Sequence, residues 1–362
     1  MSDNAFMARA LRLAAKGLHT TSPNPRVGCV IVKQGQIIGE GWHERAGQSH
    51  AEVIALQAAG ANAKGATAYV TLEPCSHFGK TPPCADALIG AGINRVVAAM
   101  TDPNPLVSGR GLEKLRAASV EVDVGILADQ ARELNIGFVS RMERGRPWVR
   151  TKLAASLDGK TALMNGASQW ITGEDARRDG HRWRARSCAM LTGIGTVLGD
   201  DPRLTVHMVN TSRQPVRIVV DSRLDIPLSA QILQGAGTIV ATISSDELKA
   251  QQLRDAGAEI LHLPAWEDKV DLSAVMRELT LRGINEVTVE AGAKLNASLL
   301  QAGLVDEIVL YQAPVLLGDA ARGLFALPEM LALSEKVELR IHDVRMIGQN
   351  VRIIARTQPN HS

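Results

Sequence analysis

Aromatic residues make up only 3% of this 362-residue chain, and cysteine occurs four times. The first scarcity leaves little for the stacking platforms that hold single-stranded nucleic acid. The second leaves no disulfide framework and suits a reducing compartment. No run approaches the 18 or so apolar residues of a membrane-crossing helix. Charge of either sign is nearly balanced, at a formal +2, so neither a nucleic-acid nor a membrane partner is expected. Residues 1–15 form a mixed amphipathic stretch, not a secretory signal. A cytoplasmic protein is expected. Internal repeats, low-complexity tracts and heptad runs are also lacking.

What is present is an ordinary globular balance, 45% apolar and 22% charged. The length exceeds what one core supports, since cores stop growing near about 250–300 residues, so two domains are expected. Met7, Ala8, Leu11 and Ala15 recur at helical spacing, with Asp3 or Asn4 as the N-cap. Strands are predicted over 27–32 and 37–42, joined by the turn Lys33-Gln34-Gly35-Gln36, and a helix over 50–59. Strand and helix then alternate through 68–72, 85–90, 96–100, 112–118 and 120–124, which implies helices packed on a parallel or mixed sheet. A helix over 129–141 closes this half. The short, basic stretch 142–147, with Gly145 and Pro147, reads as a boundary, placed near 145. Domains of 1–145 and 146–362 follow. The second half carries predicted strands over 148–153, 216–220, 238–242, 259–263, 286–289, 307–312 and 351–355.

One constellation carries chemistry. His50-Ala51-Glu52 is followed by Pro74-Cys75 and then Cys84. One imidazole and two thiolates make a three-ligand zinc site, whereas structural zinc sites normally close with four protein ligands. The open corner admits a water to be activated for hydrolysis. Glu52, two residues beyond His50, is placed to carry protons without binding the metal, as in zinc-dependent nucleobase deaminases. Pro74 suits the strand end where the chain must turn toward the metal. Cys29 and Cys188 lie in apolar runs and read as small buried hydrophobes.

The spacing narrows the substrate. Nucleic-acid and free-nucleoside deaminases carry two residues between the thiolates, whereas eight, Ser76 to Pro83, stand there in this chain. The inserted loop, with Lys80 and two prolines, reads as a rigid pocket rim, and a small-molecule substrate is favoured. Asn24, held between two prolines, offers a fixed amide able to read a pyrimidine edge, or else makes an Asx-type turn. Lys80 either meets a phosphate or points to water. In the second half, 193–199 fails the dinucleotide fingerprint because its third glycine comes one residue late. At Val287–Asn296 an apolar strand meets a glycine turn and then a helix, where backbone amides favour a phosphate; a tight connection without ligand is the plainer alternative. Arg177, Arg178, Arg182, Arg184 and Arg186 crowd a helix whose start, Thr172-Gly173-Glu174-Asp175, resembles a capping box.

The run Pro74-Cys75-Ser76-His77-Phe78-Gly79-Lys80-Thr81-Pro82-Pro83-Cys84 closely resembles the signature of the bifunctional riboflavin-biosynthesis deaminase/reductases. Thr21-Ser22-Pro23-Asn24-Pro25 and Asp102-Pro103-Asn104-Pro105 look like that family's pocket loops. Residues 152–159, Ser168-Gln169-Trp170-Ile171-Thr172 and 200–206 are similar to its reductase half. The resemblance implies an α/β chain with an N-terminal cytidine-deaminase-like three-layer α/β/α domain and a C-terminal dihydrofolate-reductase-like α/β domain. It implies Zn2+ at His50, Cys75 and Cys84, with Glu52 as proton carrier, and NADPH in the second domain. Gly292, Ala293, Lys294, Leu295, Asn296, Ala297 and Ser298 would cradle the pyrophosphate. Ala154, Trp170, Thr172, Thr196 and Asp200 would line the nicotinamide side, and Ser222, with Arg223 beside it, the adenosine 2′-phosphate. Asp200 is the candidate proton donor of the reduction step, in which the carbon itself receives the hydride.

Substrate contacts would come from Asn24, Lys80, Asp102 and Asn104 in the first domain. In the second they would come from Lys152, Ser168, Arg184, Leu204, His207 and Glu290. His207 stands where the resemblance leads one to expect Arg, which puts a bidentate phosphate grip there in doubt. The implied reaction removes an exocyclic amine from 2,5-diamino-6-ribosylamino-4(3H)-pyrimidinone 5′-phosphate and then reduces its ribosyl chain to ribityl. A homodimer is expected from the same resemblance. Two other readings remain at this point. One is a zinc deaminase of another small heterocycle with a regulatory nucleotide-binding second domain. The other is a non-catalytic zinc-stabilised protein, with His77 as a fourth ligand.

Overall fold

The 27–42 segment folds as the hairpin that its alternation predicts. β1 (Gly28–Lys33) and β2 (Gln36–Trp42) pair antiparallel around Gln34 and Gly35, both at positive φ, as tight hairpin turns require. The computed structural model describes residues 2–76, 82–235 and 237–358. By contacts the chain divides into two compact units, Met1–Arg146 and Pro147–Ser362.

In the first unit β3 (Thr67–Val70), β4 (Arg95–Ala98) and β5 (Glu121–Val124) complete a five-stranded sheet in the order β2-β1-β3-β4-β5. β1 runs antiparallel to β2 and β3, and β3, β4 and β5 are parallel. Both faces are covered, and β1 shows why. Successive strand side chains point to opposite faces, so Cys29 and Ile31 enter one cluster while Val30 and Val32 enter another. Helices α2 (Ala51–Ala59), α3 (Cys84–Gly90) and α4 (Arg110–Ala117) contribute Ala55, Leu88 and Leu115 to the first. α1 (Asp3–Ala15) contributes Phe6, Met7 and Leu13 to the second. The result is a three-layer α/β/α unit. α2 lies very close on β2, because a Cβ at Gly41 would come within 2.3 Å of the Ala51 carbonyl oxygen.

Two local expectations change. Ser2, not Asp3 or Asn4, is the N-cap of α1; the Asp3 carboxylate accepts from the Tyr69 hydroxyl at 2.6 Å and from Arg95 at 2.8 Å. The helix expected over 129–141 is two, α5 (Ala128–Leu134) and α6 (Ile136–Arg144). They break at buried Asn135, whose side chain bonds both the N–H and the C=O of Arg26, at 2.8 and 2.9 Å.

The second unit is built on a nine-stranded sheet. Its order is Ala258–His262, Thr238–Thr242, Val216–Val220, Ala189–Gly193, Glu286–Val289, Trp148–Ser156, Glu307–Ala313, Asn350–Thr357 and Leu339–Ile347. The first seven are parallel neighbours and the last two join antiparallel. Parallel strands are covered on both faces and read as short apolar runs. Two strands of this nine-stranded sheet escaped the sequence reading. Ala189–Gly193 lies in an apolar run noted only for its neighbour Cys188. Leu339–Ile347 is a mostly exposed edge strand whose alternation is broken by a register shift between Ile341 and Asp343. Among the described residues no helix is long and apolar enough to cross a membrane.

Candidate functional site

His50, Cys75 and Cys84 come together at the ends of three elements. His50 is the N-cap of α2, Cys84 is the first residue of α3, and Cys75 follows the chain out of β3. Their ligand atoms all lie within 4.8 Å of one another. His50 Nδ1 is 3.2 Å from Cys84 Sγ and 3.6 Å from Cys75 Sγ. Nitrogen and sulfur on one tetrahedral zinc stand roughly 3.5 Å apart, given metal–ligand bonds of about 2.0 and 2.3 Å. The donor set and its spacing therefore fit that ion. The N–H of Cys84 donates to Cys75 Sγ at 3.3 Å, and two helix N-termini face the cluster. Hydrogen bonding from Cys84, then His50, lowers the Cys75 pKa, while the same partnership raises that of Cys84.

Glu52 is the second residue of α2 and only 3% exposed. Burial pushes its carboxyl up to about 7, against the pull of His50. A carboxyl poised there can both take and give a proton near neutral pH. Asn24 is fixed by a residue that the sequence reading missed. Buried His43 meets the Ser49 carbonyl through Nδ1 at 3.1 Å, so Nδ1 carries the proton and Nε2 accepts from the Asn24 amide at 3.1 Å. Only a long-range contact reveals His43. Asp102 is buried, its carboxylate accepting the Asn104 N–H at 2.8 Å, and the Asn104 side-chain oxygen accepts the Leu106 N–H at 3.1 Å. Lys80 and His77 lie outside the described residues.

The second unit holds a cavity of about 2490 Å3. Sites for one small ligand run to about 300–1,000 Å3, so this one has room for a dinucleotide and a substrate. Lys152, Ala154, Ser168, Trp170, Thr172, Arg184, Thr196, Asp200, Leu204, His207, Ser222 and Glu290 line it. So do Gly292, Ala293, Lys294, Leu295 and Ser298, but Asn296 and Ala297 do not. Helical periodicity turns those two into the core, where Asn296 Nδ2 donates to the Ala291 carbonyl at 3.0 Å. The Asn296 N–H is already bonded to Gly292, the N-cap of the helix Ala293–Gln301. The helix-start N–H groups left without an intrahelical partner on the cavity side are therefore those of residues 293–295. Gly193, Gly195 and Gly199 also line the cavity, although their spacing missed the fingerprint.

Charges cluster at one wall. Arg184 grips Glu290 with two side-chain bonds and reaches the Thr205 carbonyl at 3.0 Å, while Lys152 Nζ lies 3.9 Å from Glu290. The His207 ring packs edge-on against that of His181, centroids 4.1 Å apart, and the His207 backbone N–H donates to His181 Nδ1 at 3.3 Å. Burial, then the Arg184 charge, lowers both imidazoles, His181 to about 4. Protonation of the His207 ring is thus disfavoured. Asp200 is pushed up by burial. The Ser222 hydroxyl accepts the Val270 N–H at 3.1 Å. The expected capping box does not form: Gly173 is the N-cap of the helix Glu174–Arg186, its N–H donating to Asn350 at 3.1 Å. Arg177 instead bonds the Thr172 carbonyl at 2.7 Å and stacks on Trp170.

Comparison with known proteins gives these two sites a context. The cytidine and deoxycytidylate deaminase zinc-binding region matches residues 1–100, and the RibD C-terminal domain matches 147–353. Riboflavin biosynthesis protein RibD of Escherichia coli (strain K12) is 49% identical, over 97% of this chain and 98% of that protein. The chain belongs to the RibD family. Its Haemophilus influenzae relative of the same name is 47% identical over 97% and 96%. Acinetobacter baumannii RibD, form 1, superposes with a TM-score of 0.92 at 44% identity over 99% of both chains. A Thermotoga maritima structure, a diaminohydroxyphosphoribosylaminopyrimidine deaminase/5-amino-6-(5-phosphoribosylamino)uracil reductase, gives 0.87 at 34% identity over 98% and 99%. This RibD-family chain is a bifunctional enzyme of riboflavin biosynthesis, a deaminase and a reductase. Membership sets aside the regulatory second domain and the non-catalytic zinc protein.

Proposed function

We propose that residues 1–145 deaminate 2,5-diamino-6-ribosylamino-4(3H)-pyrimidinone 5′-phosphate and that residues 146–362 then reduce its ribosyl chain. The division of chain contacts after Arg146 supports this assignment. The cofactors are zinc and NADPH. His50, Cys75 and Cys84 hold the metal, which when bound supplies a water acidified to a pKa of about 7. Glu52 would take one proton from that water and pass it to the ring nitrogen, then take the second from the hydroxyl added to the ring carbon and pass it to the departing amine, so that ammonia leaves and a carbonyl remains. Asn24, Asp102 and Asn104 orient the pyrimidine, and Lys80 is the candidate contact to its phosphate.

In the second cavity, NADPH supplies a hydride to the sugar carbon of the ring-opened ribosylamine. The N–H groups of 293–295 meet its pyrophosphate, Ser222 and Arg223 its 2′-phosphate, and Ala154, Trp170, Thr172 and Thr196 its nicotinamide end. Asp200, its acidity weakened by burial, returns the proton. Lys152, Ser168, Arg184, Leu204, His207 and Glu290 position the substrate, so that the two carbons meet in a fixed geometry.

The assembly is a homodimer formed by two copies of the edge strand Leu339–Ile347, whose Leu339, Ile341, Val344 and Met346 are exposed. Such a row on an unpaired edge invites pairing. Sedimentation of the wild type against I341K/V344K checks it: a dimer that the double variant loses is expected, and a monomeric wild type removes the idea. The compartment is the cytoplasm, where the thiols of Cys75 and Cys84 stay reduced.

The observation that carries the deaminase reading is the convergence of His50, Cys75 and Cys84 within 4.8 Å. Metal analysis combined with ammonia and NADPH assays on one preparation tests it. One zinc per chain and both activities are expected; Cys75→Ser should lose zinc and ammonia release together while NADPH oxidation on the deaminated substrate continues. Ammonia release at full rate from metal-free protein removes the zinc reading.

A further inference from the structure

We propose that Glu73 is a positioning residue for deamination, its buried carboxylate holding the 102–112 loop, and with it Asp102 and Asn104, against the segment that carries the metal ligand Cys75. The inference rests on the reading of Asp102 and Asn104 as pocket residues.

Glu73 is 3% exposed, and among the described residues no cation offsets its charge. Backbone donors do so instead. One carboxylate oxygen accepts the N–H of Asp102 at 3.0 Å and of Gly109 at 2.9 Å; the other accepts Gly111 at 2.8 Å and Leu112 at 3.4 Å. A buried carboxylate is tolerated only when such bonds replace its water. Gly111 and Leu112 are the second and third residues of α4, whose N-cap is Gly109. An N-cap side chain normally accepts from those two positions. Gly109 has none, and Glu73 does the work from 36 residues away.

The loop is shaped for this contact at two glycines. Gly109 has φ +81°, a left-handed conformation that side chains disfavour. A Cβ on Gly111 would stand 1.9 Å from the Pro74 carbonyl oxygen and 3.1 Å from the Glu73 carboxylate. The loop is therefore seated directly on Glu73-Pro74, the two residues before Cys75. At its other end Glu73 fixes Asp102, the Asp102 carboxylate fixes the Asn104 backbone, and the Asn104 side-chain oxygen closes on Leu106. That last bond sets which way the Asn104 amide faces. Its Nδ2 makes no hydrogen bond among the described residues, so a donor is left over for a ligand. One unbroken series of bonds links the metal segment to a candidate substrate contact.

A glutamine at 73 has one acceptor oxygen and turns an NH2 toward backbone donors, so Glu73→Gln loosens the loop without removing bulk. In zinc-loaded full-length protein, Glu73→Gln should raise the deaminase KM about 10- to 100-fold. Zinc content and NADPH oxidation on the deaminated substrate should stay at the wild-type level. Asn104→Ala should raise KM as well, and the double variant should match Asn104→Ala, because both changes act through one loop. A wild-type KM for Glu73→Gln, loss of zinc with the loss of rate, or factors that multiply in the double variant overturns the proposal. A wild-type KM for Asn104→Ala overturns it too and removes Asn104 from the pocket, whereas a raised KM for Asn104→Ala alone defeats the Glu73 role and leaves the pocket reading standing. If Glu73→Gln does not fold, Gly109→Ala, which strains the loop and meets no neighbouring atom, carries the same test: a raised KM supports the proposal and an unchanged one overturns it.

Discussion

Arg184 and Glu290 face each other fork to fork across the wall of the reductase cavity, Nε to Oε1 at 2.7 Å and Nη2 to Oε2 at 2.8 Å. Burial alone would push the Glu290 carboxyl up, but Arg184 and Lys152 reverse that and bring it from 4.5 down to about 2. A depressed carboxylate contributes stability that is complete above its ordinary value and is lost as pH falls toward the lowered one. The fall from 4.5 to about 2 sets a ceiling of about 3 kcal/mol. Glu290→Gln should therefore be less stable than the wild type at pH 6, with the gap falling by about half at pH 3. Urea unfolding at the two pH values checks this, and a gap independent of pH would show that the pair contributes no linked protons.

Glu52→Ala separates the two activities. The side chain is buried and is not among the three residues, His50, Cys75 and Cys84, that could hold the metal, so the variant should keep one zinc per chain. Ammonia release should fall by roughly 10²–10⁴, the range for loss of a placed proton carrier. NADPH oxidation on the deaminated substrate should be unchanged. Loss of both activities in a zinc-loaded variant would contradict separate sites.

The contrast between Glu52 and Glu73 shows what the sequence could reveal. Glu52 is legible because its partner His50 is two residues away, and the thiolates follow at a spacing that metal binding dictates. Glu73 works through backbone N–H groups 29 to 39 residues distant, which no side-chain pattern advertises. His43 is hidden in the same way, its role fixed by Asn24 and by the Ser49 carbonyl. Central strands were readable from apolar runs, whereas the exposed edge Leu339–Ile347 alternates imperfectly and was not. Asn296 and Ala297 were assigned to the cavity as part of a continuous stretch, although a helix presents only its first N–H groups to a phosphate.

Arg223 and Ser222 both line the cavity, next to Asp225 and within reach of the 266–273 segment. If the 2′-phosphate binds there, as proposed, the guanidinium would distinguish the two nicotinamide dinucleotides, because only NADPH carries the extra phosphate. Arg223→Ala should raise the KM for NADPH about tenfold, in line with the loss of one charge-assisted contact, and leave the KM for NADH within twofold. Equal effects on both cofactors would move the 2′-phosphate away from Ser222 and Arg223.

His207 is the departure from the family pattern that the structure makes testable. Its ring packs against His181 and faces the Arg184 and Arg203 charges, with Lys152 and Glu290 beyond His181; burial and those cations hold its pKa below 6.5. Protonation is therefore disfavoured, and on the proposed reading the ring would meet the substrate phosphate mainly as a hydrogen-bonding group rather than as a charge. His207→Arg places a permanent charge at that wall and should lower the reductase KM at pH 8 several-fold. The advantage should shrink as pH falls and the wild-type ring gains its own proton, so the two KM-against-pH curves converge on the acid side. His207→Ala separates position from charge. If it matches the wild type at pH 8 while His207→Arg gives no improvement, the phosphate is held elsewhere, and Lys152, Arg184 and Arg203, which line the same cavity, become the cations to test.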